Sequence, residues 1–195
     1  MARMNVSAAK PGLRQELRQW CAALDPAERL NASAAATDRL LSLPELVTAA
    51  RVALYAGTRG EADPRAALPA LARRGATVLF PRVVGRQLEF AAVAGLSELR
   101  PGHRGIDEPP GAALDAGRID LIVVPGLGFD LEGMRLGQGG GHYDRLLSRL
   151  PARTVRVGFC FDRQVLEHVP WDSFDQPVDL IVTEQRVVRP PAKRR

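Results

Sequence analysis

Apolar residues near the start of the chain recur at helical spacing. Leu13, Leu17, Trp20, Cys21 and Leu24 follow one another at intervals of about three or four residues. This spacing places them on one face of an amphipathic helix.

A second helix is predicted directly after the first. Asp25 and Pro26 have the residue types of an N-cap and a first helical position, so they end one helix and begin the next. We predict the second helix over residues 27–43, ending near Pro44, with an inward face formed by Leu30, Ala34, Thr37, Leu40 and Leu41.

The pattern then changes to strands alternating with helices. Residues 51–55 are predicted as a strand, and Asp63-Pro64 begins a helix that runs to about residue 74. Residues 76–80 form the next predicted strand, which ends at Pro81. This order is typical of a parallel α/β sheet.

Further strands are predicted at 87–93, 119–124, 154–161 and 180–183, with a helix at 142–150 and a surface loop at 94–118. The run at 119–124 is apolar nearly throughout, as expected of a strand covered on both faces. We therefore predict one α/β domain, a Rossmann-like three-layer fold with a mostly parallel central sheet flanked by helices. The N-terminal helical pair packs on it, the folded core spans 5–190, and 191–195 form a basic tail.

Composition narrows the possible classes. The chain has 195 residues, of which 46% are hydrophobic and 25% charged, which suits one globular domain and excludes a disordered chain, a collagen and a coiled coil. No apolar run approaches the roughly 20 residues that span a membrane. Without an export signal, a cytoplasmic protein is predicted. Two cysteines are too few for a disulfide framework, and we interpret both as buried apolar side chains.

The net charge of +5 suggests an anionic partner. Aromatic residues are only 5% of the chain and the basic residues are dispersed, whereas nucleic-acid-binding proteins usually cluster both. Three of the cations are Lys193, Arg194 and Arg195 of the tail. A small polyphosphate ligand explains the excess at least as well as nucleic acid, so we predict no nucleic-acid partner.

Seven of the 18 glycines fall between Gly126 and Gly141, between a strand and a helix. Backbone N–H groups in such a loop can converge on a phosphate. The loop fits neither the Walker A pattern nor the dinucleotide fingerprint, and glycine content alone is also typical of a mobile connector. Arg135 and Arg145 favour phosphate binding, and Asp144 is suited to Mg²⁺ beside phosphate oxygens.

Five motifs in order, at 10–14, 60–63, 105–109, 125–145 and 179–184, closely resemble the 5-formyltetrahydrofolate cyclo-ligase family. This family is also called 5,10-methenyltetrahydrofolate synthetase. Three positions depart from its pattern. One is Leu88, where a Met commonly precedes the substrate-contacting region near Phe90. An aromatic or basic residue commonly stands where this chain has Gln138, and Tyr often stands where it has His142.

The resemblance implies an enzyme that converts 5-formyltetrahydrofolate and ATP to 5,10-methenyltetrahydrofolate, ADP and phosphate with Mg²⁺. It implies that Lys10 and Arg14 bind the ATP phosphates, and that Lys10 and Arg135 take part in catalysis. Lys10 and Arg14 are four residues apart, so one helical face can present both, although both could be solvated helix charges. The ATP cradle is completed by the loop residues Arg135, Leu136, Gly137, Gln138, Gly139, Gly140, Gly141, His142 and Tyr143.

The resemblance also implies a folate site and a metal site. Glu61 would contact the pterin, with Gln138, Gly139, Gly140, Gly141 and His142 bordering the folate. Tyr55 and Phe90 would form apolar walls, or would simply belong to the core. Asp144 would hold Mg²⁺ with help from Asp179. Alternatively, Asp144 only favours the helix N-terminus and Asp179 is an ordinary strand-edge carboxylate.

The expected partners are ATP and 5-formyltetrahydrofolate, with or without a polyglutamate tail, and the expected state is a monomer without membrane contact. Two other functions stay open. One is a regulatory module that retained the nucleotide site and lost the reaction. The other is a nucleic-acid-binding protein, suggested only by the pI near 10 and the basic tail.

Overall fold

The computed structural model describes residues 6–58 and 60–191. Its α-helices are α1 Val6–Ala23, α2 Pro26–Leu41, α3 Pro44–Val47, α4 Leu68–Arg73 and α5 His142–Leu147. Its strands are β1 Arg51–Ala53, β2 Thr77–Val84, β3 Gln87–Ala92, β4 Arg100–Pro101, β5 Asp107–Glu108, β6 Leu121–Pro125, β7 Gly128–Asp130, β8 Arg135–Leu136, β9 Val155–Phe159, β10 Val165–Leu166, β11 Leu180–Val182 and β12 Val187–Val188. Short 3-10 turns lie at Pro64–Ala67, Leu96–Glu98, His103–Gly105, Ala116–Arg118 and Asp162–Gln164.

The central sheet has the strand order β12-β11-β9-β6-β1-β2-β3. The five inner strands are parallel, and β12 and β3 are added at the edges in antiparallel pairing. In β6 the residues Leu121 to Val124 are all buried, because helices cover both faces of a parallel sheet. The mostly parallel sheet predicted from the alternating pattern is confirmed.

Alternate residues of each strand enter two separate cores. Val52, Leu121 and Val123 face a cluster that includes Leu40 of α2 and Leu71 of α4. The opposite face carries Ala53, Ile122 and Val124 against Leu146 and Leu147 of α5. Side chains of successive strand residues point to opposite faces, so this division confirms the predicted three layers.

The helical pair forms as predicted, but its inward face differs. The Asp25 carboxylate accepts hydrogen bonds from Ala27 N (2.8 Å) and Glu28 N (3.2 Å), which caps α2 behind Pro26. In α2 the buried side chains are Ser33, Ala36, Thr37 and Leu40. The prediction was wrong at Leu30, which is 71% exposed, and at Ala34, which is also exposed. In an alanine-rich helix the sequence pattern does not distinguish two adjacent faces.

Three segments differ from their predictions. The strand expected to end at Pro81 continues to Val84, opposite β3. Pro81 has no N–H, but the sheet does not need one at this position. Val93 N donates to Val78 O, and hydrogen-bonding residues alternate along an antiparallel pair, so the nitrogen of Pro81 faces away from β3. It faces the side of β1, which pairs with β2 only as far as Leu79. The expected loop at 94–118 contains the short pair β4–β5, and the glycine-rich segment contains β7 and β8.

α5 ends at Leu147, three residues before the predicted end at Leu150. Cys21 and Cys160 are buried free thiols, as predicted, and burial raises the pKa of Cys21 to about 11 with a further contribution from the Glu61 charge. In the described part of the chain no helix is both long and apolar enough to cross a membrane. The predicted basic tail falls almost wholly on residues 192–195, outside the described residues.

Candidate active site

The glycine-rich segment begins where β6 ends, at the carboxyl edge of the parallel sheet. There β7 and β8 form an antiparallel pair, joined by β10 into a small second sheet. Leu17 of α1 packs with Met134 and Leu136 in a third apolar cluster. Helix α1 therefore lies against this small sheet, beside the residues 137–141 that lead into α5.

The backbone of this loop presents unpaired donors. In the described part of the chain, no N–H from Gln138 to Tyr143 has a hydrogen-bond acceptor. Gly139 and Gly141 have φ angles of +104° and +64°, a region that glycine adopts without steric cost. A run of free N–H groups before a helix is suited to bind the oxygens of an anion.

Two arginines of α1 hold the opposite side of the same peptide groups. Arg14 Nε donates to Gly137 O at 3.0 Å, and Arg18 Nη2 donates to Gln138 O at 3.0 Å. In a trans peptide the C=O of one residue and the N–H of the next point in opposite directions. The N–H groups of Gln138 and Gly139 therefore point away from α1.

The Arg135 side chain lies buried beneath the loop. It is 4% exposed, and its Nη2 donates to Asp144 Oδ1 at 2.8 Å. Nη1 donates to Pro125 O at 3.2 Å, and the guanidinium lies 5.7 Å from the centroid of the Tyr143 ring. Its Nε is buried without a hydrogen-bond partner. The pair fixes the end of β6, β8 and the first turn of α5 relative to one another.

Asp144 retains one free oxygen. Oδ1 accepts from Arg135 and from Gln176 N (3.3 Å), whereas Oδ2 has no hydrogen-bond partner in the described part of the chain. The side chain is 20% exposed. Oδ2 is thus available to a cation that takes its other ligands from phosphate and water, which is the way Mg²⁺ is usually bound. The described residues contain no group of three or more His, Cys, Asp or Glu that could hold a metal by themselves.

Lys10 of α1 is bound by two carboxylates. Its Nζ lies 2.9 Å from Asp172 Oδ2 and 2.5 Å from Asp175 Oδ2. Burial lowers the pKa of Lys10, but the hydrogen bonds and charges of Asp175 and Asp172 outweigh burial and raise it overall. The segment that carries these carboxylates also reaches Asp144 through the Gln176 N–H.

Glu61 lies on the other side of the loop. Its Oε2 accepts Thr58 N at 3.0 Å, and its Oε1 accepts Gln138 Nε2 at 3.1 Å. A carboxylate offers about four acceptor positions, so about two, one on each oxygen, stay open. A neighbouring pair of open acceptors matches a ligand edge that carries two adjacent N–H donors.

His142 begins α5 in a positively charged setting. Burial lowers its pKa, and the charges of Arg145, His103, Arg104 and Arg86 lower it further. Arg145 Nη2 donates to Gly140 O at 2.9 Å. The neutral form of His142 is therefore favoured over a wider pH range than in a free histidine.

A model of the 5-formyltetrahydrofolate cyclo-ligase family matches residues 6–184 of the chain. The chain belongs to the 5-formyltetrahydrofolate cyclo-ligase family. It is therefore a ligase of folate metabolism.

Named relatives of the cyclo-ligase family cover nearly the whole chain. The 5-formyltetrahydrofolate cyclo-ligase of Mus musculus is 28% identical over 201 residues, covering 94% of this chain and 98% of the mouse protein. That of Escherichia coli K12 is 32% identical over 178 residues, covering 88% of this chain and 98% of its own.

The fold is shared with solved structures. The NMR structure of 5,10-methenyltetrahydrofolate synthetase from Aquifex aeolicus superposes with a TM-score of 0.84 at 37% identity, covering 95% of both chains. The enzyme of that name from Mycoplasma pneumoniae has a TM-score of 0.75 at 22% identity, covering 90% of this chain and 99% of its own, and shows the likeness of fold.

The structure brings most of the predicted site residues to one edge of the sheet. Lys10 and Arg14 lie on α1 beside the loop, and Arg135, Asp144 and Glu61 surround it. Two other residues predicted for the site lie in a different environment. Tyr55 is 3% exposed with its hydroxyl donating to Ala62 O at 2.5 Å, and Phe90 is fully buried under α5. Both are core side chains here, the alternative that the sequence left open.

Asp179 requires a correction. It precedes β11 at the amino edge of the sheet, where its carboxylate accepts Arg156 N at 3.0 Å. It lines a cleft of about 290 Å³ together with Glu45 and Arg189. Asp144 lies at the carboxyl edge, so the structure does not bring the two carboxylates to one ion. The motif that suggested Asp179 reflects the start of a buried strand.

Sequence reasoning missed Arg18, Asp172 and Asp175. Arg18 follows Lys10 and Arg14 at the same spacing of four residues, so the face that suggested those two also contained it. Asp172 and Asp175 carry no such signal, because they meet Lys10 across more than 160 residues of chain.

Proposed function

We propose that the chain converts 5-formyltetrahydrofolate and ATP to 5,10-methenyltetrahydrofolate, ADP and phosphate, with Mg²⁺. The observation that carries this proposal is the convergence of free loop N–H groups, the Arg135–Asp144 pair and the α1 cations at one sheet edge. In a member of the cyclo-ligase family this edge is the natural phosphate site, since ligands of parallel sheets bind at the carboxyl ends of the strands.

In this proposal the ATP phosphates bind along the loop. The N–H groups from Gln138 to Tyr143 would donate to phosphate oxygens, with Arg14 beside them and Arg135 beneath. Lys10 would exchange the carboxylates of Asp172 and Asp175 for phosphate oxygens, which are also anionic acceptors. The net charge of +5 on the whole chain favours association with such an anionic ligand.

Asp144 is the residue that would hold Mg²⁺. Its free Oδ2 and its position in the first turn of α5 suit an ion shared with phosphate. Bound there, the ion would neutralise charge that develops on the transferred phosphoryl group. The Arg135 bond to Oδ1 would orient the carboxylate.

Glu61 would bind the folate. A pterin presents an amino group and a ring N–H side by side, which fits the two open acceptor positions of this carboxylate. The loop at 138–142 would separate the folate from the nucleotide while bordering both. Tyr55 and Phe90 would then support the pocket from the core.

The chemistry would proceed in two steps without a covalent enzyme intermediate. The formyl oxygen attacks the γ-phosphorus of ATP and ADP leaves, which turns a poor leaving group into a phosphate. N10 then attacks the activated carbon, loses its proton, and expels phosphate as the five-membered ring closes. Such a reaction depends on positioning and charge neutralisation, which the loop and the cations would supply.

The proposal predicts a spectroscopic product. Purified protein mixed with 5-formyltetrahydrofolate, ATP and Mg²⁺ should generate the near-ultraviolet absorbance of the methenyl compound. Omitting ATP or chelating the metal should abolish the signal. Absence of the chromophore with intact, folded protein and verified substrate would overturn the proposed function.

A further inference from the structure

A chain of side-chain hydrogen bonds crosses the loop from α1 to Glu61. Arg18 Nε donates to Gln138 Oε1 at 3.0 Å, and Gln138 Nε2 donates to Glu61 Oε1 at 3.1 Å. Arg18 also donates through Nη2 to the carbonyl of Gln138. One arginine thus holds both the side chain and the backbone of the residue that contacts Glu61.

This arrangement fixes the orientation of the Gln138 amide. Arg18 has donors only, so it must face Oε1, and the Glu61 carboxylate has acceptors only, so it must face Nε2. The opposite orientation of the amide would lose both bonds. Arg18 therefore determines that Gln138 offers a donor to Glu61.

We propose that Arg18 is a positioning residue for the folate substrate, acting through Gln138 on Glu61. The proposal rests on the function proposed above. With Oε1 held by Gln138 and Oε2 held by Thr58 N, the two remaining acceptor positions of Glu61 are aimed in a fixed direction. The ligand they suit is a planar heterocycle with an amino group next to a ring N–H.

The coupling depends on the amide side chain at position 138, because an amide can both accept from Arg18 and donate to Glu61. A basic side chain could pair with Glu61 directly but would repel Arg18, and an aromatic one could bond with neither in this way. In this chain the glutamine therefore couples α1 to the folate side of the loop.

The test compares two arginines one helical turn apart. For R18A and for Q138A we expect KM for 5-formyltetrahydrofolate to rise about five- to ten-fold, the range expected for loss of one or two hydrogen bonds. In Q138A, KM for ATP should change less than about two-fold, because Arg18 still holds the backbone carbonyl of residue 138. R18A also releases that carbonyl, so its KM for ATP should rise more than that of Q138A. R14A should show the reverse pattern, with the larger rise in KM for ATP.

Coupling separates positioning from a merely structural role. In an E61A background, R18A should alter KM for 5-formyltetrahydrofolate less than two-fold, since a residue acting only through Glu61 has no effect without it. R18K can restore one of the two bonds and should give an intermediate KM. R73A, which removes an exposed arginine of α4, controls for the loss of one positive charge.

The outcomes are distinguishable. Equal changes of both KM values in Q138A, or an undiminished effect of R18A on KM for 5-formyltetrahydrofolate in the E61A background, would overturn the positioning role while leaving the proposed function intact. If the wild-type chain forms no methenyl product, the proposed function fails and this inference fails with it. Arg18 is exposed, so circular dichroism and thermal unfolding should show that R18A folds normally.

Discussion

At the scale of single residues, the site depends on one buried ion pair with an asymmetric environment. Arg135 is almost fully buried and uses both terminal nitrogens, whereas Asp144 keeps Oδ2 unbonded at a partly exposed edge. A buried pair of this kind is costly to break, because the remaining charge is left without its partner. The carboxylate is thus held in place by one oxygen and available through the other.

Replacing Asp144 with asparagine separates the hydrogen bonds of this side chain from its negative charge. In Asp144→Asn the amide oxygen can still accept from Arg135 and Gln176 N, but the negative charge is lost. We expect kcat to fall about 100-fold or more, the usual scale for removing a group that stabilises transition-state charge, and the Mg²⁺ concentration for half-maximal rate to rise. Steady-state assays with a Mg²⁺ titration measure both.

The same substitution should cost about 1–2 kcal/mol in the free energy of unfolding, because the Arg135 charge becomes uncompensated. Asp38→Asn on the exposed face of α2 is the matched control and should behave as wild type. An Asp144→Asn variant with ordinary Mg²⁺-dependent turnover would remove Asp144 from the metal role.

At the scale of elements, the candidate site is formed jointly by the glycine-rich loop and the helix α1 beside it. Helix α1 turns the loop carbonyls toward Arg14 and Arg18, so the N–H groups face the other way. The loop can follow this path because Gly139 and Gly141 have positive φ angles. Neither element alone would present the donors.

Gly139→Ala tests the conformation of the loop. A Cβ at this position has room, with its nearest neighbour in the Arg14 guanidinium at 3.8 Å, so the effect is backbone strain at φ +104°. We expect a loss of about 1–2 kcal/mol in the free energy of unfolding, or a displaced loop, and in either case a higher KM for ATP.

Gly12→Ala is the control for this variant. It lies within α1, where a Cβ meets nothing within 4 Å, and should stabilise the helix by up to about 1 kcal/mol. Urea unfolding and KM for ATP compare the two alanines. Equal behaviour of both variants would contradict the importance of the loop conformation.

At the scale of the whole molecule, ion pairs join segments that are far apart along the chain. Lys10 connects α1 to the segment at 172–175, and Arg189 Nη1 binds Glu45 Oε1 of α3 at 2.6 Å. The hydrogen bond from Arg189 lowers the pKa of Glu45 below its ordinary value of 4.5, and the bond from Lys10 lowers the pKa of Asp172 below 3.8. These links make stability depend on pH at both ends of the range.

A group with a depressed pKa stabilises the fold above its ordinary pKa, and the stabilisation is lost as the pH falls through the folded value. For Glu45 the loss should therefore begin near its ordinary pKa of 4.5 and continue as the pH falls further. Lys10 has a raised pKa, so its contribution is complete below about pH 10 and is lost at higher pH.

Urea unfolding at pH 7 and pH 3.5 measures how much of the free energy of unfolding is lost at acid pH. Glu45→Gln should reduce the difference between the two pH values by less than about 1 kcal/mol, since Arg189 is 55% exposed and solvent screens the pair. Glu167→Gln, at an exposed position, should leave the difference unchanged. A pH dependence that is identical in wild type and Glu45→Gln would exclude this contribution.

The amino-acid sequence by itself determined the layers of the fold and predicted the place of the chemistry. Apolar strands alternating with helices force a covered parallel sheet, and glycines with flanking charges predict a phosphate-binding loop, because both inferences follow from local patterns. The same local reasoning predicted Arg135 and Asp144 for the site, whereas Lys10, Arg14 and Glu61 were predicted from the resemblance to the family.

Only the tertiary structure decided which residues meet. Asp172 and Asp175 reach Lys10 across the whole chain, and Asp179 lies at the amino edge although its motif suggested the site. Leu30 faces solvent although it fits a helical stripe. Contacts between distant segments depend on packing and strand order, which no local pattern contains. The link from Arg18 through Gln138 to Glu61 joins three such segments and therefore emerges only when they are folded together.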